Sequence, residues 1–241
     1  MSRVRSLAAV AALAGLLTTA GACDRPSAGG AAPGTGPSAP AAATGPAEHA
    51  DYRGALAELG QLRVAPEDTG AHYSRDDWKH WTRAGGCTTR ELIIKRDALA
   101  TAKGKPIQYD KCHATGNAYW VSRYDNVTIT DVRTLEVDHW VPLKQLAVSG
   151  TRGWTASQRE QYANDPEVLI AVSERSNAQK SSQDPAKWSV PDSPAFGCEY
   201  QAKWVWVKAK YSRLFGQPVT VDPAEKAALH QKLTLCAKGA V

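Results

Sequence analysis

The sequence predicts an α+β fold, a mostly helical single domain that carries a small β-component and is stapled by disulfides. Three observations predict it. Apolar residues recur at helical spacing in the first and last parts of the domain. Two alternating, β-rich runs flank a turn near its middle. Four cysteines also follow an export signal, which is the setting in which disulfides form.

Residues 1–22 have the organisation of a secretory signal peptide. Arg3 and Arg5 supply a positive start, the apolar run after them is shorter than the about 20 residues that span a bilayer, and small residues close the segment. Cleavage at its end leaves Cys23 as the first residue. We therefore expect an exported protein, which is either extracellular or lipid-anchored through Cys23 at the outer face of the cell membrane.

The chain then divides into a tether and a domain. Residues 23–50 are rich in Ala, Pro and Gly and cannot bury enough apolar surface to fold, so we predict a disordered tether. Residues 51–241 are long enough for one domain with its own core. Loss of Arg3 and Arg5 with the signal leaves a net charge of +3, which permits a polyanionic partner but does not require one.

Helices are predicted in the first part of the domain by apolar spacing and by capping residues. Three leucines at helical spacing predict a helix over 52–62. Ser74 stands ahead of two acids and predicts another helix start, which places Trp78 and Trp81 on one face as core residues. A further helix is predicted over 89–99.

Strand patterns occupy the middle of the domain. Residues 118–130 alternate on either side of Asp125 and Asn126, a pattern that predicts a hairpin. Residues 135–141 predict another strand, which Pro142 should end.

The later elements follow from caps and periodicity. They are a helix capped by Thr155 and Gln158 that runs to Ala163, a turn at Asp165-Pro166, a strand over 168–172, a polar helix from Ser173, a helix start at Asp184-Pro185, and two helices over 201–215 and 222–236.

Four cysteines lie in the domain, namely Cys87, Cys112, Cys198 and Cys236. Three pairings are open, and Cys87–Cys112 with Cys198–Cys236 is the simplest, since each bridge then closes one half of the domain. The sequence contains no C-x-x-C pattern, which argues against a structural zinc site.

The chemistry-bearing residues lie in the stretch EVDHWVPL and some 40 residues after it. Asp138 and His139 end a predicted strand, and Asn177 and Lys180 are three residues apart on one face of a predicted helix. If the strands pair and the helix folds back, these four side chains share one cleft. Because neighbouring strand residues point to opposite faces, Asp138 and His139 share it only where the strand bends or ends. Pro142 makes such an ending reasonable.

This set of side chains favours phosphodiester cleavage. Asp138 and Asn177 offer the oxygen ligands that a hard cation such as Mg²⁺ prefers, and Mn²⁺ is an alternative. His139 is predicted to be the general base, since an ordinary histidine pKa of about 6.5 suits a base near neutral pH. Lys180 is predicted to contact a phosphate oxygen. The remaining histidines, His80 among them, are interpreted as surface or structural residues.

With these residues in place, the sequence resembles the exported HNH (His-Me finger) family endonucleases that carry an Asp-His pair. The matching stretches are EVDHWVPL, GTRGWTASQREQYANDPEVLIAV and SNAQKSSQDPAKW, and similarity extends over about 52–236. The resemblance implies a ββα-metal core at about 134–190 within the helical domain. It also implies a monomeric, metal-dependent endonuclease that acts on DNA and, as a second substrate class, on RNA.

The resemblance assigns Asp138 and Asn177 as metal ligands and His139 as general base, with Lys180 as the basic residue of the motif. Two departures stand out. Val168 replaces an asparagine, so a backbone carbonyl must orient the histidine here or activity falls. Ser181-Ser182 replaces the Gly-Asp pair that commonly follows the lysine. The alternative function is a non-catalytic, envelope-associated module on the same fold that binds nucleic acid or another polymer.

Overall fold

The computed structural model describes residues 51–100, 107–116, 118–191 and 193–240. The predicted signal peptide (1–22), the predicted tether (23–50) and Cys23 lie outside these residues. Within the described ranges, no helix is long and apolar enough to cross a membrane.

Helices are the largest class of secondary structure among the described residues. They are α1 (Tyr52–Gln61), α2 (Thr89–Arg96), α3 (Leu143–Val148), α4 (Ala156–Ala163), α5 (Glu174–Lys180), α6 (Pro194–Phe215) and α7 (Pro223–Ala237). The strands are β1 (Arg83–Ala84), β2 (Cys87–Thr88), β3 (Leu99–Ala100), β4 (Gln108–Asp110), β5 (His113–Thr115), β6 (Ala118–Ser122), β7 (Val127–Ile129), β8 (Leu135–His139) and β9 (Leu169–Ser173). The mixture of helices with small sheets agrees with the predicted α+β class.

Every sheet among the described residues is small and antiparallel. The pairings are β1 with β2, β4 with β5, β6 with β3 and β7, and β8 with β9. The strands of the β8–β9 pair lie far apart in sequence, because α3 and α4 stand between them. Its register runs from Leu135 opposite Ser173 to His139 opposite Leu169. Since α5 follows β9 directly and packs on both strands, the local order is strand, strand, helix.

Helix α2 holds the β8–β9 pair through polar contacts to its backbone. Arg90 Nη2 donates to Leu135 O at 2.7 Å, and Arg96 Nη2 donates to Leu169 O at 2.8 Å. The Asp97 carboxylate accepts from Ala171 N at 2.9 Å on the edge of β9. These bonds satisfy backbone groups that a two-stranded ladder leaves open, and such a ladder alone is only marginally stable.

The helical part packs around α6. This helix contacts α1 and α7, and it buries a series of aromatic side chains. Lys208 of α6 forms a fully buried ion pair with Glu225 of α7 at 2.6 Å, and Trp204 Nε1 also donates to Glu225. Satisfied buried charges of this kind fix how two helices are oriented.

Most of the predicted elements are confirmed, including the capping box at Thr155 and Gln158, the hairpin at Asp125 and Asn126, and the last two helices. Two helix starts are wrong. After Ser74 the chain makes one 3-10 turn, Arg75–Asp77, and Trp81 has a positive φ of 61° that ends any helix. At Asp184 the carboxylate accepts from Ala186 N in a turn that does not propagate.

The two disulfides follow the simplest predicted pairing. Cys87 is bonded to Cys112 and Cys198 to Cys236, at sequence separations of 25 and 38 residues. The first fastens the start of α2 to the β4–β5 hairpin, and the second joins α6 to α7. Each half of the domain is therefore closed by its own covalent bridge.

Replacing Cys198 and Cys236 together with alanine should lower the free energy of unfolding by about 4 kcal/mol, because the bridge restricts the unfolded chain. Urea denaturation of the oxidised proteins measures the change. The paired alanine variant of Cys87 and Cys112 is the control, and its shorter loop should cost only a few tenths of a kcal/mol less, at about 3.5 kcal/mol. A loss below about 1 kcal/mol for the longer bridge would contradict the entropic account.

Candidate active site

The last two residues of β8 are Asp138 and His139. Asp138 is only 8% exposed. Its Oδ2 accepts two hydrogen bonds, from the Tyr124 hydroxyl at 2.8 Å and from Lys180 Nζ at 2.7 Å. Burial and the nearby Asp138 charge raise the pKa of Tyr124 well above its usual value, so the phenol remains a donor. The carboxylate is therefore fixed through one oxygen, and no described residue bonds Oδ1.

Lys180 is the final residue of α5, and its side chain has 0% exposure. Besides the bond to Asp138, its Nζ donates to His139 O at 2.9 Å. Burial lowers the pKa of Lys180, while the Asp138 carboxylate opposes that effect and retains the ammonium. The predicted contact between Lys180 and a substrate phosphate does not fit this geometry, because the ammonium faces the interior.

The His139 ring is held in one tautomer and one orientation. Its Nε2 lies 3.0 Å from Ala163 O, and since a carbonyl only accepts, Nε2 carries the proton and Nδ1 carries the lone pair. The imidazole stacks on the rings of Tyr162, at 5.7 Å, and Trp81, at 5.9 Å. A backbone carbonyl thus orients the histidine, as the replacement of asparagine by Val168 required.

Burial lowers the pKa of His139 to about 3, and the positive charge of Lys180 acts in the same direction. The ring is 5% exposed, so water does little to stabilise an imidazolium. The expectation of an ordinary histidine pKa is therefore replaced by a strongly depressed one. At neutral pH the ring is uncharged and able to accept a proton, but it is a weaker base than a free histidine.

The strand does not break between Asp138 and His139. Both residues are paired in register with β9, and Trp140 N still donates to Val168 O at 2.9 Å. Successive side chains of a regular strand point to opposite faces. The two residues accordingly have different neighbours: Asp138 meets Tyr124 and Lys180, whereas His139 meets Tyr162, Trp81 and Ala163. The bend that would turn both side chains to one face is absent.

Asn177 lies on α5, the helix whose last residue, Lys180, reaches Asp138. It lies one turn before Lys180 on the same face of α5, is half-buried, and its side-chain amide has no hydrogen-bond partner among the described residues. The Asn177 amide oxygen and Asp138 Oδ1 are both uncommitted oxygens, the type that Mg²⁺ prefers. The donor set thus fits a hard cation, although the Lys180 ammonium next to it reduces the attraction.

A second acidic group lies elsewhere in the described structure. Carboxylate oxygens of Glu67, Asp184 and Asp222 come within 4.8 Å of one another. Lys187 already supplies a positive charge there, with Nζ 2.5 Å from Asp184 and 3.4 Å from Glu67. This group is a salt-bridged cluster, and it contributes none of the predicted site residues.

The sequence analysis missed the residues that cover His139. We call residues 74–82 the wall, because this segment lies against the Trp81 side of the imidazole. Asn164 fixes the wall by donating to Lys79 O at 2.6 Å and accepting from Thr82 N at 2.9 Å. The sequence offered one indication of these contacts, because Asn164 directly follows Ala163, the residue that orients His139. Tyr124 was also missed, since nothing near Asp125-Asn126 indicates where its phenol points.

The candidate site thus consists of two antiparallel strands and a returning helix that carry a carboxylate, an imidazole and an amide. Residues 95–215 match the family described as GmrSD restriction endonucleases, C-terminal domain, and the chain belongs to that family. It is also 37% identical over 182 residues to an uncharacterized secreted protein of Arthroderma benhamiae, an alignment that covers 74% of this chain and 82% of that protein. Among solved structures, none matches.

Acidification should destabilise the metal-free protein through His139. Its folded-state pKa of about 3 lies below the usual 6.5, so the unfolded state binds more protons between these values and stability falls as the pH falls. From about pH 6 to about pH 4.5 the loss from this residue is about 2 kcal/mol. Urea denaturation in EDTA at several pH values measures it, with His139→Gln as the reference. Equal pH slopes in the two proteins would argue against the depressed pKa.

Replacing Lys180 with methionine should lower the free energy of unfolding by about 3–5 kcal/mol, because it leaves the Asp138 carboxylate buried without its cation. Adding Asp138→Asn to Lys180→Met removes the stranded charge and should recover much of the loss. Arg133→Met, which breaks an exposed pair with Asp131, is the control and should change little. If Lys180→Met is no worse than this control, the pair is not a structural constraint.

Proposed function

We propose that this protein is an exported, metal-dependent endonuclease that hydrolyses phosphodiester bonds of DNA, with RNA as a second substrate class. Family membership supports the nuclease class. One observation carries the proposal of metal-dependent hydrolysis with a histidine base. It is the uncommitted oxygen pair of Asp138 and Asn177 next to a histidine whose tautomer leaves Nδ1 free. Carboxylate and amide oxygens with an imidazole base are the components that metal-assisted hydrolysis of a phosphate diester needs.

Asp138 and Asn177 are the residues that would hold the cation, with Mg²⁺ the first choice and Mn²⁺ an alternative. When bound, such a cation stabilises the charge that develops on the phosphate and on the leaving oxygen. Tyr124 and Lys180 do not bind the cation but position the Asp138 carboxylate that would hold it. By occupying Oδ2 of Asp138, they direct Oδ1 outward and keep the carboxylate in one rotamer. Lys180 is thus a positioning residue in this proposal.

His139 is the proposed general base. Ala163 O holds the proton on Nε2, so Nδ1 is the atom that would take a proton from the attacking water. A His139 imidazole with a pKa of about 3 is a weak base. A phosphate beside the ring favours the imidazolium and raises that pKa. The base therefore becomes stronger once substrate is bound, and the depressed value belongs to the protein without substrate.

The opposite orientation of Asp138 and His139 determines where the substrate has to lie. Both residues stand at the end of β8, just before Pro142 turns the chain into α3. A phosphodiester placed across this strand end would meet the Asp138 side and the His139 side at the same time. In this arrangement the strand end acts as the divider between the metal-binding and proton-accepting halves of the site.

Export is part of the proposal. The predicted signal peptide agrees with the secreted description of the Arthroderma relative, and two disulfides suit an oxidising compartment. A lipid on Cys23 would hold the domain at the outer face of the cell membrane on its tether. Intact mass of the mature protein distinguishes this anchored form from a freely secreted one.

A non-catalytic polymer-binding module is the second candidate, and one observation favours it. Lys180 already neutralises Asp138, and His139 faces away from that carboxylate, so the residues can form a stable structure without a metal. This candidate predicts polymer binding that survives both EDTA and the loss of His139.

The two candidates separate in a plasmid-nicking assay on the mature domain with Mg²⁺, Mn²⁺ or EDTA. We expect metal-dependent nicking that falls by at least about 100-fold in His139→Ala, since a general base contributes about that much or more. Asp138→Ala and Asn177→Ala should raise the metal concentration needed for half-maximal activity. Gln179→Ala on the exposed face of α5 is the control. Full activity in His139→Ala, or no nicking with any divalent ion, would refute the nuclease proposal.

A further inference from the structure

A nuclease needs a cation on its substrate-facing surface, and Lys180 does not supply it. The Lys180 ammonium has no exposed surface and is engaged by Asp138 and His139 O. Substrate phosphates attract lysine and arginine side chains that protein groups have not already neutralised. The phosphate-binding cation therefore has to come from another element that borders His139.

The wall supplies such a cation in Arg75. This exposed residue begins the 3-10 turn, and its Nε donates to His80 Nε2 at 3.1 Å. His80 in turn places Nδ1 3.0 Å from Trp78 O, so Nδ1 donates and Nε2 accepts, which is consistent with both bonds. The His80 ring contacts Trp81 at 5.3 Å, and Trp81 contacts His139 at 5.9 Å. A continuous set of contacts thus links the guanidinium to the proposed base.

Hydrogen bonds from two residues outside the wall fix its backbone. Asn164 bonds Lys79 O and Thr82 N on either side of His80 and Trp81. Arg159 of α4 donates to Asp77 O at 3.1 Å. The guanidinium is therefore carried on a rigid segment, and a rigid phosphate ligand loses less entropy on binding than one on a mobile loop.

Trp81 adds evidence of a functional constraint. A tryptophan at φ 61° is strained, and strain of this kind persists only where surrounding contacts enforce it. Here the Asn164 bonds enforce it, and the result is that the indole lies over the imidazole instead of continuing a helix. The same backbone reversal keeps His80 next to Arg75.

We propose that Arg75, held by His80 on the wall, binds a phosphate of the nucleic-acid strand adjacent to the bond that His139 would attack. The inference rests on the proposed nuclease function and adds to it a substrate-binding residue. Arg75 lies before residue 95, where the match to the family begins, so it is a feature of the preceding segment. The neighbouring Asp77 points to His72, with 3.5 Å between Oδ2 and Nε2.

The test compares Arg75→Gln, Arg75→Lys and the control Arg133→Gln, which removes an exposed arginine at the opposite end of β8. Binding of a fluorescein-labelled single-stranded oligonucleotide in EDTA is followed by anisotropy at several salt concentrations. Arg75→Gln should weaken binding about tenfold and reduce the slope of log affinity against log salt by about 0.7, the value for one phosphate contact. Arg75→Lys should retain the slope, because it retains the charge.

Cleavage kinetics provide the second readout. Arg75→Gln should raise KM with a small effect on kcat, as expected for a phosphate-binding residue outside the proton transfer. If Arg75→Gln and Arg133→Gln change binding and KM equally, while the unaltered protein cleaves nucleic acid, the Arg75 inference is overturned and the nuclease proposal stands. If the unaltered protein neither binds nor cleaves nucleic acid, both fail together. Thermal melting of each variant establishes that it is folded.

Discussion

The buried ion pair between Lys180 and Asp138 is the interaction on which the site depends. Two charges without water cost several kcal/mol each unless their remaining hydrogen-bonding capacity is filled. Tyr124 and the carbonyl of His139 do this. Because one ammonium bonds the side chain of one strand residue and the main chain of the next, it fixes the end of α5 against the end of β8. The placement of Asn177, one turn earlier, follows from that attachment.

The fold was largely predictable where the signals are local. The capping box at Thr155, the Asp125-Asn126 turn and the periodicity of the last two helices each act over a few residues, and all were found in the structure. The helix predicted after Ser74 is absent, and the cause is a contact that is distant in the sequence. A competent helix start was overridden by the side chain of Asn164, which lies far away in the sequence and takes the backbone groups of the wall for itself.

The predicted site residues lie at the end of β8 and on α5 as expected, but their contacts differ from those expected. The spacing of Asn177 and Lys180 correctly placed them on one face of α5, whereas the bond from Lys180 to Asp138 was not predicted. Sequence could not show that the lysine points inward, because that depends on Tyr124 and the packing of α5. Nor could it show that the β8 ladder continues through His139. Orientation and burial are tertiary properties, and they changed the expected basicity of His139 and the expected source of the phosphate-binding charge.

One side-chain amide, that of Asn164, holds the wall in place. This amide uses its full hydrogen-bonding capacity, since Oδ1 accepts from Thr82 N and Thr89 Oγ1 while Nδ2 donates to Lys79 O and Glu160 O. Deamidation to aspartate would turn the two donated bonds into contacts between a carboxylate oxygen and carbonyl oxygens, which repel. A single covalent change at Asn164 would thus remove the bonds to Lys79 O and Glu160 O, while the bond from Arg159 to Asp77 O and both disulfides stay intact. The conformation of the wall therefore depends on the chemical integrity of one amide as well as on the packing of the fold.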